Sequence, residues 1–396
     1  MKHLIRNRSL NTALILLLLA VLSIAAYAQT YAPVYQFKAG LDGNFPSQGL
    51  IVDLKRGVLY GTTSSDGAFL SGTVFKLGKS GEAVLYSFTG ENGDGQFPEG
   101  GGSLYEDANG NLYGTAFGGI YGGPCGTDGC GVVFEVDQTG HEKVLYQFTG
   151  GDDGTYPNGG LVGDENGNLY GTTQEGGKFG SGTVFEVTPS GTETVLHSFN
   201  YQNYSDGSGP ATGLIRDASG NLFGTTGSGG ISLGGTVFKI DTSYNETILY
   251  YFGSSSQDGL FPASRLAFDT QGNLIGMTIS GGANGYGTVF RLTLSGQETV
   301  LYNFGPSPDA NRPYLTDPLI DPSGNIYAAT NYGGADNWGA VFKLDTSNHE
   351  TVLHSFDGPH GKLPYGGLAR DPSGNIYGTA SQGGAYGGGL VYRVTP

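Results

Sequence analysis

From about residue 30 onward the chain alternates short apolar runs with polar, glycine-rich breaks on a fixed period. One run reads G-N-L-Y-G-T-T or a near variant. It is followed by G-T-V-F and then by V-L-Y-S-F. The first glycine falls at Gly57, Gly110, Gly167, Gly220, Gly272, Gly324 and Gly374, in steps of 53, 57, 53, 52, 52 and 50 residues. Each copy predicts four strands. In the third they are Gly160 to Asp164, Asn168 to Thr173, Gly182 to Val187 and Glu193 to Phe199. All four are rich in β-branched and aromatic residues and are bounded by Gly, Asn, Asp, Ser or Pro. No segment of the mature chain sustains a 3.6-residue period. Self-similarity at this spacing means an array or a closed ring, and four strands per repeat match a propeller blade.

The turns are legible as well. D-x-x-G-N joins the first strand to the second from Asp107, Asp164, Asp217, Asp269, Asp321 and Asp371. Asp bonds the turn backbone and Gly supplies a positive φ. A calcium loop needs more oxygen ligands than this pattern offers. The ends of the repeat region complement each other: it opens on a lone fourth strand, Val34 to Phe37, and finishes on a third strand, Leu390 to Val394. Pairing them closes a ring and removes two open edges. The expected fold is therefore all-β: a seven-bladed β-propeller of four-stranded blades, its last blade closed by the N-terminal strand, in one domain over residues 29–396. Two smaller β domains are the alternative.

In such a ring the loops entering each blade share a rim with the loops between second and third strands. The entering loops carry D-G-x-F/Y-P, with Phe45, Phe97, Tyr156, Phe261, Tyr314 and Tyr365 beside the proline. The other loops carry G-G near Phe179, Tyr286, Trp338 and Tyr386, with Tyr121 in an enlarged loop. Flat rings amid Gly, Ser, Asn and Asp suit stacking on sugars; packing between blades is the competing use. Trp338 is the single tryptophan and is not repeated, which makes it the foremost ligand candidate. Residues that break the repeat include Asp66, Glu175, Asp336, Arg312, His360, Lys362 and the longer Asn200 to Tyr204 loop. A carboxylate pair among Asp66, Glu175 and Asp336 could serve glycoside hydrolysis; solvated loop acids are the alternative.

Composition narrows the partners. Residues 1–28 read as a signal peptide, with Lys2, Arg6 and Arg8, an apolar run from Ala13 to Ala26, and a small-x-small site at Ala26 to Ala28. The formal charge is −16, and removing those three cations takes it from 19 − 35 to 16 − 35, or −19. Nucleic acid is an unfavourable partner, and no membrane span is expected after the signal. Cys125 and Cys130, the only cysteines, sit in a six-residue insertion. The step from the glycine of G-T-T to that of G-T-V-F is seventeen residues there (Gly114 to Gly131) against eleven in the other copies. In an exported chain a local disulfide is the leading reading. His197 and His354 replace the tyrosine of V-L-Y-S-F, and no multi-histidine metal cluster or nucleophile elbow is evident. No cofactor or metal is expected.

The ordered combination of D-x-x-G-N-L-Y-G-T-T, G-T-V-F and V-L-Y/H-S-F resembles the GloVer-type tandem repeat of bacterial exported, choice-of-anchor proteins, over roughly residues 31–396. The resemblance implies an extracellular or surface β-propeller and brings no catalytic residues. The chain ends at Pro396 without the anchor segment such proteins carry, which favours release or periplasmic residence. The functional expectation is a secreted, monomeric, non-enzymatic binding propeller that reads an extracellular glycan or a surface protein through one rim. A carbohydrate-active enzyme and a structural or adhesive module are the alternatives.

Overall fold

The computed structural model describes residues 29–91, 93–98, 102–119, 125–126, 129–210 and 212–396. Residues 1–28, where a signal peptide is expected, and Tyr121 lie outside the described residues. Every regular element described is a strand. Seven antiparallel blades, each of four strands, follow one another around a ring. Blade 1 comprises Ile51–Asp53, Val58–Thr63, Thr73–Gly78 and Gly81–Ser87, paired in that order. Blade 7 comprises Lys362–Arg370, Ile376–Gln382 and Leu390–Thr395, and its outer strand is Thr30–Gln36 from the start of the domain. The split blade expected from the repeat pattern is thus realised.

The closing strand is a true equivalent of the other outer strands. In blades 1 to 6 the pairing of third and fourth strands skips one residue; in blade 3, for example, Val184 faces His197 and Phe185 faces Val195, so Leu196 is the extra residue. The same skip occurs at Val34, between Pro33 and Tyr35. Such a bulge increases local twist, and repeating it in every blade suits a propeller of strongly twisted sheets.

The core lies between blades. Seven apolar clusters each join one blade to the next, and the cluster of Phe37, Leu50, Leu59, Phe75, Leu77, Ala369 and Val391 joins blade 7 to blade 1. At each interface the Phe ending V-L-Y-S-F meets the ring of the next blade's G-T-V-F edge to face. The seven pairs, from Phe37–Phe75 to Phe356–Tyr392, have centroids 5.0–5.3 Å apart. Each pair adds about 0.5–1.5 kcal/mol beyond simple burial. The G-T-T glycine makes room for that ring: a Cβ on Gly171 would sit 2.5 Å from the Phe185 ring.

Toward the outer edge, five interfaces share a polar device. Tyr35, Tyr86, Tyr146, Tyr250 and Tyr302 donate to Asp42, Asp94, Asp153, Asp258 and Asp309 at 2.9–3.2 Å. Backbone N–H groups of Lys38, Thr89, Thr149, Gly253 and Gly305 converge on the same carboxylates. A glutamate of the next outer strand faces each aspartate. Burial, reinforced by the aspartate's charge, pushes Glu82, Glu142, Glu193, Glu298 and Glu350 up to about 7. At a sixth interface His197 stands where the tyrosine does, beside Asp206 and Glu246. At the seventh, Tyr31 takes the glutamate's place and stacks on His354 at 3.7 Å.

Candidate functional site: the loop rim

The D-G-x-F/Y-P loops form short hairpin pairings on the rim that the sequence pattern did not predict. Thr155–Pro157 pairs with the end of Leu169–Glu175, and Gly259–Pro262 with the end of Leu274–Gly281. Entering loops and second-to-third loops are therefore built together. The aromatic before the proline is left-handed, with φ of 54–58° at Phe45, Phe97, Tyr156 and Phe261. Such values are strained for bulky residues. The strain is held by a hydrogen bond across the interface: Phe97 N–H donates to the Ser71 carbonyl at 2.9 Å and Phe261 N–H to that of Gly234 at 2.8 Å. It aims the following proline at the neighbouring blade. A Cβ on Gly72, Gly182 or Gly235 would lie 2.6 Å from Pro98, Pro210 or Pro262, so these glycines are required both by their positive φ and by the close approach. The proline is the interblade staple, and the aromatic ring is turned toward the rim.

The rings divide accordingly. Phe45, Phe179, Phe261, Tyr314, Trp338 and Tyr386 are exposed. Phe97, Tyr156, Tyr286 and Tyr365 are half-buried. Tyr156 is engaged, stacking on Phe117 with centroids 4.4 Å apart. Tyr314 and Tyr365 meet edge to face at 6.4 Å. Lys362 holds its ammonium 4.9 Å from the Trp338 ring, which covers one face of it.

Blades 5 and 6 bring several candidates together in a rim cleft of about 370 Å³. Tyr286 comes from the second-to-third loop of blade 5; Ser307, Asn311 and Arg312 come from the entering loop of blade 6; Tyr332 and Asn337 come from blade 6's own second-to-third loop. Arg312 lies with its guanidinium 5.8 Å from the Tyr286 ring centre and, among the described residues, forms no ion pair. Asn337 is fixed by accepting from the Gly333 N–H at 2.9 Å and from the Ser307 hydroxyl at 3.3 Å. Asn311 is buried and donates to the Gly305 carbonyl. Two exposed or half-exposed rings, a free guanidinium and oriented amides thus face one space. A largely apolar cleft of about 350 Å³ between blades 7 and 1, lined by Val52, Leu54, Val58, Lys79, Asp371 and Tyr377, is on the opposite face.

The acids flagged in the sequence are not brought together. Asp66, Glu175 and Asp336 stand on blades 1, 3 and 6 and share no described contact; Asp66 accepts from the Gly40 N–H at 3.1 Å, and Glu175 and Asp336 face solvent. In the Asn200 to Tyr204 loop, Tyr201 and Tyr204 are exposed. His360 pairs with Asp357 at 2.8 Å. The D-x-x-G-N carboxylates serve their turns: Asp164 accepts from the backbone of Asn166 and Asn168 and from the Tyr170 hydroxyl. The Cys125–Cys130 disulfide is formed, with Cα atoms 5.2 Å apart.

One charged pair escaped the sequence reading. The innermost segments of successive blades meet glycine to glycine, with no space for side chains: a Cβ on Gly102 would fall 1.7 Å from the Gly160 nitrogen. Arg265 and Asp317 interrupt that wall. Arg265 donates from Nε to the Leu214 carbonyl at 2.9 Å, and its backbone N–H donates to Asp317 at 3.2 Å. Burial raises Asp317 to about 6 against the lowering effect of Arg265. The available signal was Arg265 before Leu266, where Gly49, Gly160, Gly213 and Gly367 precede the same leucine in other copies.

The sequence pattern of the Gloeobacter/Verrucomicrobia repeat matches residues 94–279 and 247–396. No functionally curated protein matches the chain. Among solved structures it is similar to a streptogramin B lyase (TM-score 0.58, 14% identity, covering 92% of this chain and 97% of that one). It is also similar to the extracellular domain of the putative hybrid two-component system BT4673 from B. thetaiotaomicron (TM-score 0.56, 13% identity, 93% of this chain and 40% of that one). A third similar structure is a fungal alcohol oxidase of the AA5 family (TM-score 0.58, 15% identity, 93% and 76%). At these identities the likeness is one of fold. No helix among the described residues is long and apolar enough to cross a membrane.

Proposed function

We propose that this chain, which belongs to the Gloeobacter/Verrucomicrobia repeat family, is an exported, non-enzymatic binding propeller that reads an extracellular glycan through the rim cleft between blades 5 and 6. The observation that carries this reading is the convergence of Tyr286, Tyr332, Arg312, Asn311 and Asn337 on one cleft. Rings stack on sugar faces and amides read hydroxyls. The unpaired Arg312 guanidinium suits a carboxylate, because it offers a planar pair of donors. On a chain of formal charge −16, a local cation is what lets an acidic sugar approach. Export is supported by the signal-like residues 1–28 and by the disulfide. The dispersal of Asp66, Glu175 and Asp336 supports binding over hydrolysis.

The test is a glycan array and polysaccharide pull-down with residues 29–396, comparing uronic-acid polymers with neutral ones. Binding to an acidic polymer that Arg312→Ala and Tyr286→Ala each abolish, with the fold retained, is the expected result. Binding that both variants leave intact, or no binding to any glycan, refutes the proposal. In the latter case the exposed Tyr201, Tyr204, Ile231 and Leu233 around blade 4 direct the search to a protein partner.

A further inference from the structure

We infer that His197, Asp206 and Glu246 form a three-ligand site for a divalent transition cation of the zinc type at the interface of blades 3 and 4. His197 Nε2 lies 3.5 Å from Asp206 Oδ2 and 3.5 Å from Glu246 Oε1, and the three ligand atoms all fall within 4.8 Å of one another. A tetrahedral zinc ion with bonds of about 2.0–2.2 Å sets neighbouring ligands about 3.3–3.6 Å apart. Both His197 separations fall in that range, and at 3.5 Å they are longer than an ordinary direct hydrogen bond. Consistent with this, His197 Nε2 is buried without a hydrogen-bond partner.

The other copies of the repeat act as controls. At five interfaces the same position holds a tyrosine whose hydroxyl donates to the aspartate at 2.9–3.2 Å. Tyrosine completes that network, and its neutral hydroxyl does not compete for metal at neutral pH. Replacing it with imidazole removes the hydroxyl and introduces a nitrogen ligand between two carboxylates, the mixed nitrogen and oxygen set that zinc accepts. The rest of the site is preset. Asp206 Oδ2 accepts from the Asn200 N–H at 2.8 Å and its Oδ1 from the Gly207 N–H at 2.7 Å, so the carboxylate is held in place. His197 packs edge to face on Phe199 at 4.7 Å, which limits the turn of its ring. The side chains of His197 and Glu246 each retain some exposure. The competing arrangement is a proton in the same place, an imidazolium bridging two carboxylates. Zinc would displace that proton.

The experiment is titration of the metal-free residues 29–396 with Zn²⁺ at neutral pH, read by calorimetry, by bound metal after dialysis and by thermal unfolding. One equivalent of bound zinc and a raised Tm are expected. His197→Tyr restores the residue used at the five other interfaces and should fold normally; Glu246→Gln is the second variant. Both should lose the bound equivalent and the zinc-induced rise in Tm. The inference is overturned if the parent chain binds no zinc, or if binding persists undiminished in either folded variant.

Discussion

Glutamate 142 offers a sharp test of the interblade carboxyl pairs. Its Oε1 and Oδ1 of the facing Asp94 are both buried without partners, and it titrates at about 7 instead of the ordinary 4.5. The folded state therefore binds more protons than the unfolded state between those values. Stability is fully present below pH 4.5, declines as pH rises toward 7, and stays at its lower level above that. Counted in full, 7 − 4.5 = 2.5 decades at 1.36 kcal/mol each is about 3.4 kcal/mol. The carboxyl is only half-buried, so solvent screening reduces this to roughly 1–2 kcal/mol. Glu142→Gln holds the group neutral at every pH and gives Asp94 Oδ1 an N–H donor. It should stabilise the protein by roughly 1–2 kcal/mol at pH 8 and by less than about 0.5 kcal/mol at pH 5. Urea denaturation of both proteins at the two pH values measures the difference. No gain at pH 8, or an equal gain at both, would refute the reasoning.

Further outcomes follow from the packing. Phe37→Ala removes the fully buried closing member of the aromatic ring and should cost about 3–5 kcal/mol of unfolding free energy, read by urea denaturation. A loss below about 1 kcal/mol would mean that the seam contributes little. Gly171→Ala places a methyl 2.5 Å from the Phe185 ring and should cost about 1–3 kcal/mol. Blade 6 carries Ala328 at the equivalent position opposite Phe342, so Ala328→Gly should change stability far less than the reverse change does in blade 3. Reducing Cys125–Cys130 should lower stability by at most about 2 kcal/mol, the entropy of so short a loop, as read by thermal unfolding with and without reductant.

Blade number, strand order and the split blade were all legible, because each depends on motifs that recur with the same neighbours in every copy. The rim was legible only in parts. D-G-x-F/Y-P reads as a turn because proline argues against a strand, so the hairpin pairing of Gly259–Pro262 was not foreseen. Nor was the left-handed backbone of Phe261, which depends on a carbonyl contributed by the blade before it. Arg312, Tyr286 and Trp338 each stood out as residues, but the cleft needs Tyr332 and Asn337 from a different loop, and juxtaposition across loops has no sequence period. Arg265 and Asp317 were missed for a similar reason: they become a pair only at the inner wall of the ring, 52 positions apart.

The closing strand also sets how the ring responds to tension. Thr30 faces Thr395 across an antiparallel seam, so both ends of the domain leave blade 7 on the same side. A pull applied between them loads the first hydrogen-bonded rung alone, then the next, as a zipper opens, instead of shearing all rungs together. A ring that heat must melt through seven aromatic interfaces would therefore begin to open under force at one seam, while a molecule tethered by a single end would keep that seam unloaded.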